Sequence, residues 1–395
     1  MQRHTIRGKT RTIIYPIIIY WGITSIMGCK RLEINQTKRN WEKLSAYFTP
    51  PPLYQEKFGT YRNPLLFYNG DTVKNADDWL KRRKEIKDKW LNLIGHWPAI
   101  ITNQKLEIIK TTEREDFKQH LVRFYWTPLE QTYGYLLEPN KKGKHPAVIT
   151  VFYEPETAIG WGGKANRDFA YQLTKRGFVT LSIGTKQTTK DKTYSLYYPT
   201  INNSTMQPLS VLAYAGANAW EVLARVESVD STRIGIMGHS YGAKWAMFAS
   251  CLYEKFACTA WSDPGIVFDE TKDNYINYWE PWYLGYYPPL WKKIWSNNGN
   301  NSSTSVYARL CKEGHDLHEL HSLLAPRPFL VSGGYSDNVD RWIPLNHSVA
   351  VNRLLGYHHR VAMTNRPKHD PTPESNETIY KFFEWFLKRK TPKED

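Results

Sequence analysis

The chain has 395 residues, 41% of them hydrophobic, which is enough for one large core or two modest ones. Its formal net charge is +15, and the first eleven residues contain Arg3, Arg7, Lys9 and Arg11 without an acidic residue. Such a basic surface attracts polyanionic glycans, nucleic acids or anionic membranes. No basic run coincides with a nucleic-acid-binding motif, so we expect no nucleic-acid partner.

Residues 1–29 have the pattern of an export signal. A basic start precedes the apolar stretch 13–28, which is too short and too interrupted for a confident membrane span. Ile26-Met27-Gly28-Cys29 is similar to a bacterial lipobox, in which the cysteine is lipidated. The alternatives are a lipoprotein signal with a lipid anchor on Cys29, an ordinary cleaved signal and a retained anchor. Each places the rest of the chain outside the bacterial cytoplasm, either in the periplasm or at the outer membrane or cell surface.

Three regions follow the signal. Residues 30–98 are predicted as an N-terminal arm and a helix, Ala76 to Ile94, packed on the body. Residues 99–395 are predicted as one catalytic domain, which begins with antiparallel strands at 105–112, 117–126 and 131–137. Further strands are predicted at 147–152, 177–183, 234–237, 256–261, 326–337 and 360–364, and helices at 165–176, 209–226, 344–355 and 374–388. This alternation predicts a mostly parallel central sheet flanked by helices.

One motif defines the predicted fold class. Gly238-His239-Ser240-Tyr241-Gly242 fits G-x-S-x-G, the nucleophile elbow, and lies between a short apolar strand and an apolar helix. The serine of such an elbow lies on a strained turn, and the two glycines let strand and helix approach without Cβ clashes. The sequence therefore predicts an α/β-hydrolase fold with Ser240 as the nucleophile.

The remaining catalytic groups should follow in the order acid, then histidine. Asp337 at the end of the strand 326–337 is the leading acid, with Asp340 and Asp263 as alternatives. His369, in the loop after the last strand, is the leading base. The other candidate histidines are His239, His358 and His359.

Two further parts of the site are predicted. The backbone N–H of Tyr241, with that of Glu154 or Tyr153 after the strand 147–152, is expected to form the oxyanion hole. Residues 266–314 interrupt the strand–helix alternation and are rich in Tyr and Trp, which predicts a lid insertion over the active site. Aromatic faces stack on sugar rings, so Trp279 and Trp282 are candidate substrate-binding residues.

The cysteines and histidines predict no metal site. After Cys29 the chain contains Cys251, Cys258 and Cys311, an odd number, and no Cys/His spacing suggests zinc. We expect no metal and no cofactor.

A family resemblance appears in these segments. Asp316 to Val331 resembles a segment of the glucuronoyl esterases and their bacterial relatives, and Gly238 to Lys244 is similar to their elbow, G-C-S-R-x-G-K. The arginine that helps to hold the oxyanion in that family is replaced here by Tyr241. Lys244 matches the lysine that contacts sugar hydroxyls in that family, so the resemblance implies a substrate-binding role for it. Related bacterial enzymes resemble pectin methylesterases.

The pattern and the resemblance together predict a serine carbohydrate esterase. The expected partner is a polysaccharide or oligosaccharide, and the expected bond is a methyl or other alkyl ester of a uronic acid. The alternatives are a polysaccharide acetyl esterase, a secreted peptidase of the prolyl-oligopeptidase type, and a glycan-binding protein on an inactive hydrolase fold. The absence of propeller-like repeats before residue 150 argues against the peptidase.

Overall fold

The computed structural model describes residues 41–186, 194–286 and 305–388. It divides into two compact units, Met1–Lys43 and Leu44–Asp395. Of the first unit only the helical residues 41–43 are described, so the predicted signal and Cys29 lie outside the described residues. Within the described ranges, no helix combines the length and apolar character needed to cross a bilayer.

The centre of the second unit is a nine-stranded sheet. Its strands are β1 (Glu107–Arg114), β2 (Phe117–Thr127), β3 (Glu130–Pro139), β4 (His145–Phe152), β5 (Val179–Gly184), β6 (Val229–His239), β7 (Cys258–Ser262), β8 (Phe329–Gly333) and β9 (Val361–Asn365). Their spatial order is β1-β2-β3-β5-β4-β6-β7-β8-β9. In this order the pairs β1-β2, β2-β3 and β3-β5 are antiparallel. The pairs β5-β4, β4-β6, β6-β7, β7-β8 and β8-β9 are parallel. The predicted mostly parallel sheet is therefore confirmed.

Helices cover the sheet. They are α1 (Ala76–Ile94), α2 (Pro155–Ala158), α3 (Phe169–Lys175), α4 (Pro208–Leu223), α5 (Tyr241–Leu252), α6 (Val306–Lys312), α7 (His318–Ser322), α8 (Trp342–Leu354) and α9 (Pro373–Lys388). Every residue of β4, β5, β7 and β8 is buried, as expected for parallel strands covered on both faces. Every residue of α4 and α5 is buried as well, which places the helix after the elbow in the core.

Helix α1 has the predicted bounds because its ends carry local signals. The side chain of Asn75 accepts the N–H of Asp78 and caps the first turn. The helix ends at Gly95, whose φ of 95° favours glycine. A Cβ at Gly95 would also lie 2.4 Å from the carbonyl oxygen of Thr205, so the position tolerates no side chain.

Residues 54–58, within the predicted N-terminal arm, are bound to α8 through their backbone carbonyls. Asn346 donates to the carbonyls of Tyr54 and Lys57, both at 2.8 Å. The Nε2 atom of His347 lies 3.0 Å from the carbonyl oxygen of Phe58. Because these donors belong to α8, the arm is held by side chains that come almost 300 residues later in the chain.

The predicted strand 326–337 is shorter in the structure. Strand β8 ends at Gly333, four residues before Asp337, whereas the sequence predicts a strand that reaches Asp337. The predicted lid, 266–314, contains a 3₁₀ helix, Glu270–Tyr275, and the helix α6. Its residues 287–304, including Tyr287, Trp291 and Trp295, lie outside the described residues.

Candidate active site

Ser240 lies on a strained turn between β6 and α5. Its φ of 55° and ψ of −118° are outside the regions that a non-glycine residue usually adopts. A Cβ on Gly242 would lie 2.0 Å from the carbonyl oxygen of Val151, and one on Gly238 would lie 2.3 Å from the backbone of Gly242. Both glycines are therefore required sterically, and the predicted nucleophile elbow is present in the structure.

Three side chains from three strand ends form a hydrogen-bonded line. His369 Nε2 lies 2.8 Å from the Oγ of Ser240, and His369 Nδ1 lies 2.6 Å from Oδ2 of Asp263. Ser240 follows β6, Asp263 follows β7, and His369 lies in the loop after β9. The carboxyl ends of these parallel strands meet at one edge of the sheet, which brings the three groups together. This is the geometry of a serine nucleophile, its base and an orienting acid.

The prediction of Asp337 as the acid is wrong. Both ring nitrogens of His369 are occupied, by Ser240 and by Asp263, so neither Asp337 nor Asp340 is a partner of the ring. The carboxylate of Asp337 instead accepts the backbone N–H groups of the loop after β7, from residues 265 (2.9 Å) and 266 (2.7 Å). Asp263, the alternative acid, takes the position at the histidine because it directly follows its strand.

The carboxylate of Asp263 is buried and well supplied with donors. Oδ1 accepts the N–H groups of Gly334 (2.7 Å) and Asp337 (3.0 Å), and Oδ2 accepts that of Ser336 (3.2 Å). Burial alone would raise the pKa of Asp263, but the hydrogen bond from His369, the charges of His369 and Arg366 and the Ser336 N–H lower it below its usual value. Asp263 is therefore ionised and able to stabilise an imidazolium.

The buried Asp337 has the opposite electrostatic character. Burial, and then the charge of the neighbouring Asp263, raise the pKa of Asp337 to about 7. The ionisation of two neighbouring carboxyl groups costs free energy because their charges repel, and the two environments therefore shift their pKa values in opposite directions. Asp263 serves the histidine, and Asp337 holds the loop that follows Asp263.

The sequence analysis missed a buried arginine that holds the histidine loop. Arg366 is 6% exposed, and its guanidinium donates to the carbonyls of Ser332 (2.7 Å), His369 (2.6 Å) and Asp370 (2.8 Å). It also donates to the Oγ of Ser262 at 3.2 Å. The available signal was an arginine three residues before the predicted base. Its planar array of donors joins the ends of β7 and β8 to the backbone of the base.

The other candidate histidines do not face Ser240. His239 is buried, and its Nδ1 lies 3.1 Å from the carbonyl oxygen of Ser262. Burial, and then the nearby charge of His369, lower the pKa of His239 well below its usual value. His358 and His359 line a cavity at the amino end of β9, the end opposite His369. His369 is therefore the histidine that the structure places at the serine.

Lys244, predicted to bind the sugar, is instead a buried internal donor. It is 2% exposed, and its Nζ donates to the carbonyls of Pro264 (2.5 Å) and Tyr275 (2.9 Å). The rings of Tyr278 and Tyr283 cover the ammonium at 4.9 and 5.7 Å. Burial lowers the pKa of Lys244 to about 8. The predicted sugar contact is therefore contradicted: this lysine ties the elbow helix to the loop after Asp263.

The residues predicted for the oxyanion hole lie beside the elbow. Tyr241 is the first residue of α5, and its ring stacks on that of Tyr153 with centroids 4.3 Å apart and planes 10° apart. Glu154 follows Tyr153 and forms ion pairs with Lys164 (3.1 Å) and Lys186 (3.4 Å). The aromatic pair thus lies where the resembling family has an arginine. The roles of the Tyr241 and Glu154 N–H groups remain predictions.

The predicted aromatic contacts of the insertion are partly used for packing. Trp279 and Trp282 are half-buried and pack against the main core, with Trp279 near Tyr307 (6.1 Å) and Trp282 near Tyr283 (6.4 Å). Their sugar-binding role remains a prediction. Tyr275, from the same insertion, lies at the site, with its ring 5.0 Å from that of His369.

The cysteines lie apart from these groups. In the structure Cys251 and Cys258 are buried, Cys311 is exposed, and all three are free thiols. Within the described ranges, no group of three His, Cys, Asp or Glu side chains is arranged to hold a metal ion.

Comparisons with known proteins place the fold. No protein-family model matches the chain, and no curated protein matches it by sequence. A glucuronoyl esterase from Solibacter usitatus superposes with a TM-score of 0.64 at 16% identity, over 82% of this chain and 97% of the other. A Bacteroides fragilis protein assigned as an acetyl xylan esterase gives 0.51 at 15% identity, over 85% and 88%. A methylesterase gives 0.52 at 16% identity, over 78% and 64%.

These superpositions confirm the predicted α/β-hydrolase fold. This chain has a mostly parallel sheet flanked by helices, and its fold matches that of the Solibacter usitatus esterase over most of both chains. The resemblance seen in the sequence is therefore confirmed for the fold.

Proposed function

We propose that the protein is a serine carbohydrate esterase that hydrolyses an alkyl ester, above all a methyl ester, of a uronic acid in a plant-type polysaccharide. The observation that carries the proposal is the line from Ser240 Oγ through His369 to Asp263, with distances of 2.8 and 2.6 Å. A serine with an oriented imidazole within hydrogen-bond reach is an activated nucleophile. The esterases with a similar fold support the choice of an ester bond.

The reaction follows from this geometry. The Oγ of Ser240 attacks the ester carbonyl while Nε2 of His369 takes its proton. The tetrahedral intermediate collapses, the C–O bond to the alcohol breaks, and the alcohol leaves with the proton from His369. Water then gives a proton to His369 and attacks the acyl carbon. The C–O bond to Ser240 breaks, His369 returns the proton to Oγ, and the uronic acid and the free serine are released. Asp263 keeps the Nδ1 proton in place and stabilises the imidazolium in both steps.

The oxyanion is held by backbone donors in this proposal. The N–H of Tyr241, at the start of the buried helix α5, and the N–H of Glu154, after β4, are the proposed pair. Since Tyr241 replaces the arginine of the resembling family, no guanidinium from this position assists the N–H groups.

The uronic acid is the proposed acyl group for two reasons. The chain is basic, with a net charge of +15, which favours a polyanionic glycan. Proteins of similar fold include glucuronoyl esterases, whose name denotes an ester of a uronic acid, and a methylesterase, whose name denotes a methyl ester. A polysaccharide acetyl esterase is the second candidate, supported by the similar fold of the protein assigned as an acetyl xylan esterase.

The experiment that tests the proposal compares two products. Methanol and acetate are measured after incubation with native pectin, glucuronoylated xylan and acetylated xylan, with S240A beside the wild type. Methanol from a uronate ester, lost in S240A, is the expected result. Acetate alone would favour the second candidate. No product from any substrate would contradict an esterase and return the peptidase and glycan-binding alternatives.

The proposed location is extracytoplasmic, with a lipid anchor on Cys29 as the only membrane contact. The basis is the lipobox-like segment that ends at Cys29. Metabolic labelling with a radioactive fatty acid in a bacterial host is expected to mark the wild type and not Cys29→Ala. Equal labelling of both, or of neither, would contradict the anchor.

A further inference from the structure

Two exposed tyrosines lie beside the catalytic histidine. The ring of Tyr275 is 5.0 Å from that of His369, edge to face, and the ring of Tyr335 is 4.7 Å from that of Tyr275. They are 43% and 45% exposed, although each is next to a buried part of the site. Large aromatic faces left in solvent at the rim of a catalytic centre are available to a ligand.

The backbone at both tyrosines is held by hydrogen bonds to Lys244 and Asp263. The carbonyl of Tyr275 accepts from Lys244 at 2.9 Å. The residues on either side of Tyr335, at positions 334 and 336, both donate their N–H groups to Asp263. The rings therefore stand on a scaffold set before any ligand arrives, which lowers the entropic cost of binding.

Lys272 brings a positive charge to the same place. Its Nζ lies 4.5 Å from the centre of the Tyr335 ring and 3.3 Å from Oδ1 of Asn338. Among the described residues no carboxylate forms an ion pair with it, since its contacts there are with neutral groups. Lys164 and Lys186, by contrast, both pair with Glu154.

Acidic groups near Lys272 have contacts of their own. Glu270, two residues earlier in the chain, accepts from the hydroxyl of Tyr307 at 3.0 Å. Asp269 is paired with Arg341 at 2.5 Å, and the carboxylate of Asp337 is buried against backbone N–H groups. Asp273 is exposed next to Lys272 in the chain and forms no ion pair with it. The positive charge of Lys272 is thus available to an anion.

We propose that Tyr275, Tyr335 and Lys272 form an accessory subsite for an unesterified uronic-acid residue of the same polysaccharide chain. This inference rests on the proposed function and deepens it. The apolar C–H face of a sugar ring stacks on an exposed tyrosine, and its free carboxylate accepts from the ammonium of Lys272. The preferred substrate is then a partially esterified polyuronate, in which a free acid neighbours the ester under attack.

The test compares a monomer with an oligomer. The substrates are the methyl ester of galacturonic acid and a partially methyl-esterified oligogalacturonide, with the enzyme as wild type, K272M, Y335A and K118M. Lys118 is an exposed lysine of β2 and serves as the matched charge control. Thermal unfolding of each variant confirms that it is folded.

For K272M, the ratio of kcat/KM on the oligomer to that on the monomer is expected to fall about threefold to fivefold, as for an exposed ion pair. For Y335A, KM on the oligomer is expected to rise about threefold to tenfold through the lost aromatic face. About 1 M salt, at which the Debye length is roughly 3 Å, should remove most of the difference between wild type and K272M. A change in K118M equal to that in K272M would overturn the proposal, as would an unchanged ratio in K272M.

A binding measurement separates this inference from the proposed function. Unesterified oligogalacturonide is titrated into S240A and into S240A/K272M by calorimetry, which needs no turnover. Weaker binding by the double variant supports the subsite even if the wild type hydrolyses no uronate ester. Equal affinities overturn the subsite even if the esterase activity is confirmed.

Discussion

Asp263→Asn replaces one carboxylate oxygen by an amide nitrogen and leaves the side chain the same size. In the wild type, Oδ1 accepts the N–H groups of Gly334 and Asp337, while Oδ2 faces Nδ1 of His369 at 2.6 Å. The amide oxygen of the variant is expected to stay at those N–H groups, which leaves the amide nitrogen at the histidine. The amide then donates to Nδ1, and the imidazole proton moves to Nε2. An Nε2 that carries a proton cannot accept one from Ser240.

The expected loss in kcat is about 10³ to 10⁴-fold, or roughly 4–5.5 kcal/mol of transition-state stabilisation. Methanol release from a methyl-esterified uronide at neutral pH measures it. In the variant the amide nitrogen would also face the N–H of Ser336, and two donors cannot bond to each other. Thermal unfolding of the same samples therefore checks that the variant is folded. A folded D263N enzyme within tenfold of the wild type would refute the role of Asp263.

Asp337→Asn is the matched variant for the same measurement. The carboxylate of Asp337 accepts two backbone N–H groups of the loop after β7. The asparagine side chain of the variant has only one oxygen to accept these N–H groups, so one of the two hydrogen bonds is lost. We therefore expect the free energy of unfolding to fall by about 1–3 kcal/mol. The kcat should stay within about tenfold of the wild type, since His369 keeps its partner. If folded D337N loses as much kcat as D263N, the assignment of the acid from geometry is refuted.

Three further predictions concern the elbow, the buried lysine and the arm. Gly242→Ala places a Cβ 2.0 Å from a carbonyl oxygen, so we expect the free energy of unfolding to fall by about 3 kcal/mol or more. A thermal unfolding midpoint equal to that of the wild type would contradict this expectation. Lys244→Met leaves two carbonyls near Asp263 without their donor. In steady-state kinetics kcat should therefore fall with KM nearly unchanged, whereas a rise in KM alone would indicate a sugar contact. Burial lowers the pKa of His347 to about 4 in the folded protein, whereas this histidine has its usual pKa of about 6.5 in the unfolded chain. As the pH falls below about 6.5, the unfolded chain therefore binds a proton that the folded protein does not, which favours unfolding. This histidine alone should therefore lower the free energy of unfolding in urea by about 2 kcal/mol between pH 7.5 and 4.5. The total fall should be smaller in H347Q by about that amount, and an equal fall in both proteins would exclude this histidine.

The local sequence contained the signals for most of the architecture. Helix α1 has the bounds predicted for it, and local signals lie at both ends: in the structure Asn75 caps its start and Gly95 ends it. The elbow was predicted because the requirement for glycine at positions 238 and 242 is a local steric one. Such features depend on residues a few positions apart, which a sequence pattern records directly.

Which aspartate lies at His369 depends on contacts between residues far apart in the chain, which a local sequence pattern does not record. Residues 326–337 look like one strand, yet the chain turns at Gly333 and Gly334. A Cβ at Gly333 would lie 2.2 Å from the carbonyl oxygen of Asp337, and one at Gly334 would lie 2.5 Å from that of Lys368. The turn is thus made by packing against the histidine loop, and it carries Asp337 past the histidine.

The burial of Lys244 had a similar origin. A lysine four residues after the serine on a helix could face either solvent or the core. The rings that cover it, from Tyr278 and Tyr283, come from the insertion more than thirty residues later. Tertiary packing of the insertion therefore decided the role that the family resemblance had implied for this position.

The position of β9 has a consequence for how the protein loses activity. Among the described strands, β9 is an edge strand that pairs with β8 alone, whereas β6, which leads to Ser240, has a neighbour on each side. Edge elements open at lower free energy than the centre of a sheet. Detachment of β9 with the loop held by Arg366 would remove the base while the core stays folded. Catalysis should therefore disappear at a lower denaturant concentration than the tryptophan signal of the core, and its loss would report partial opening of the molecule.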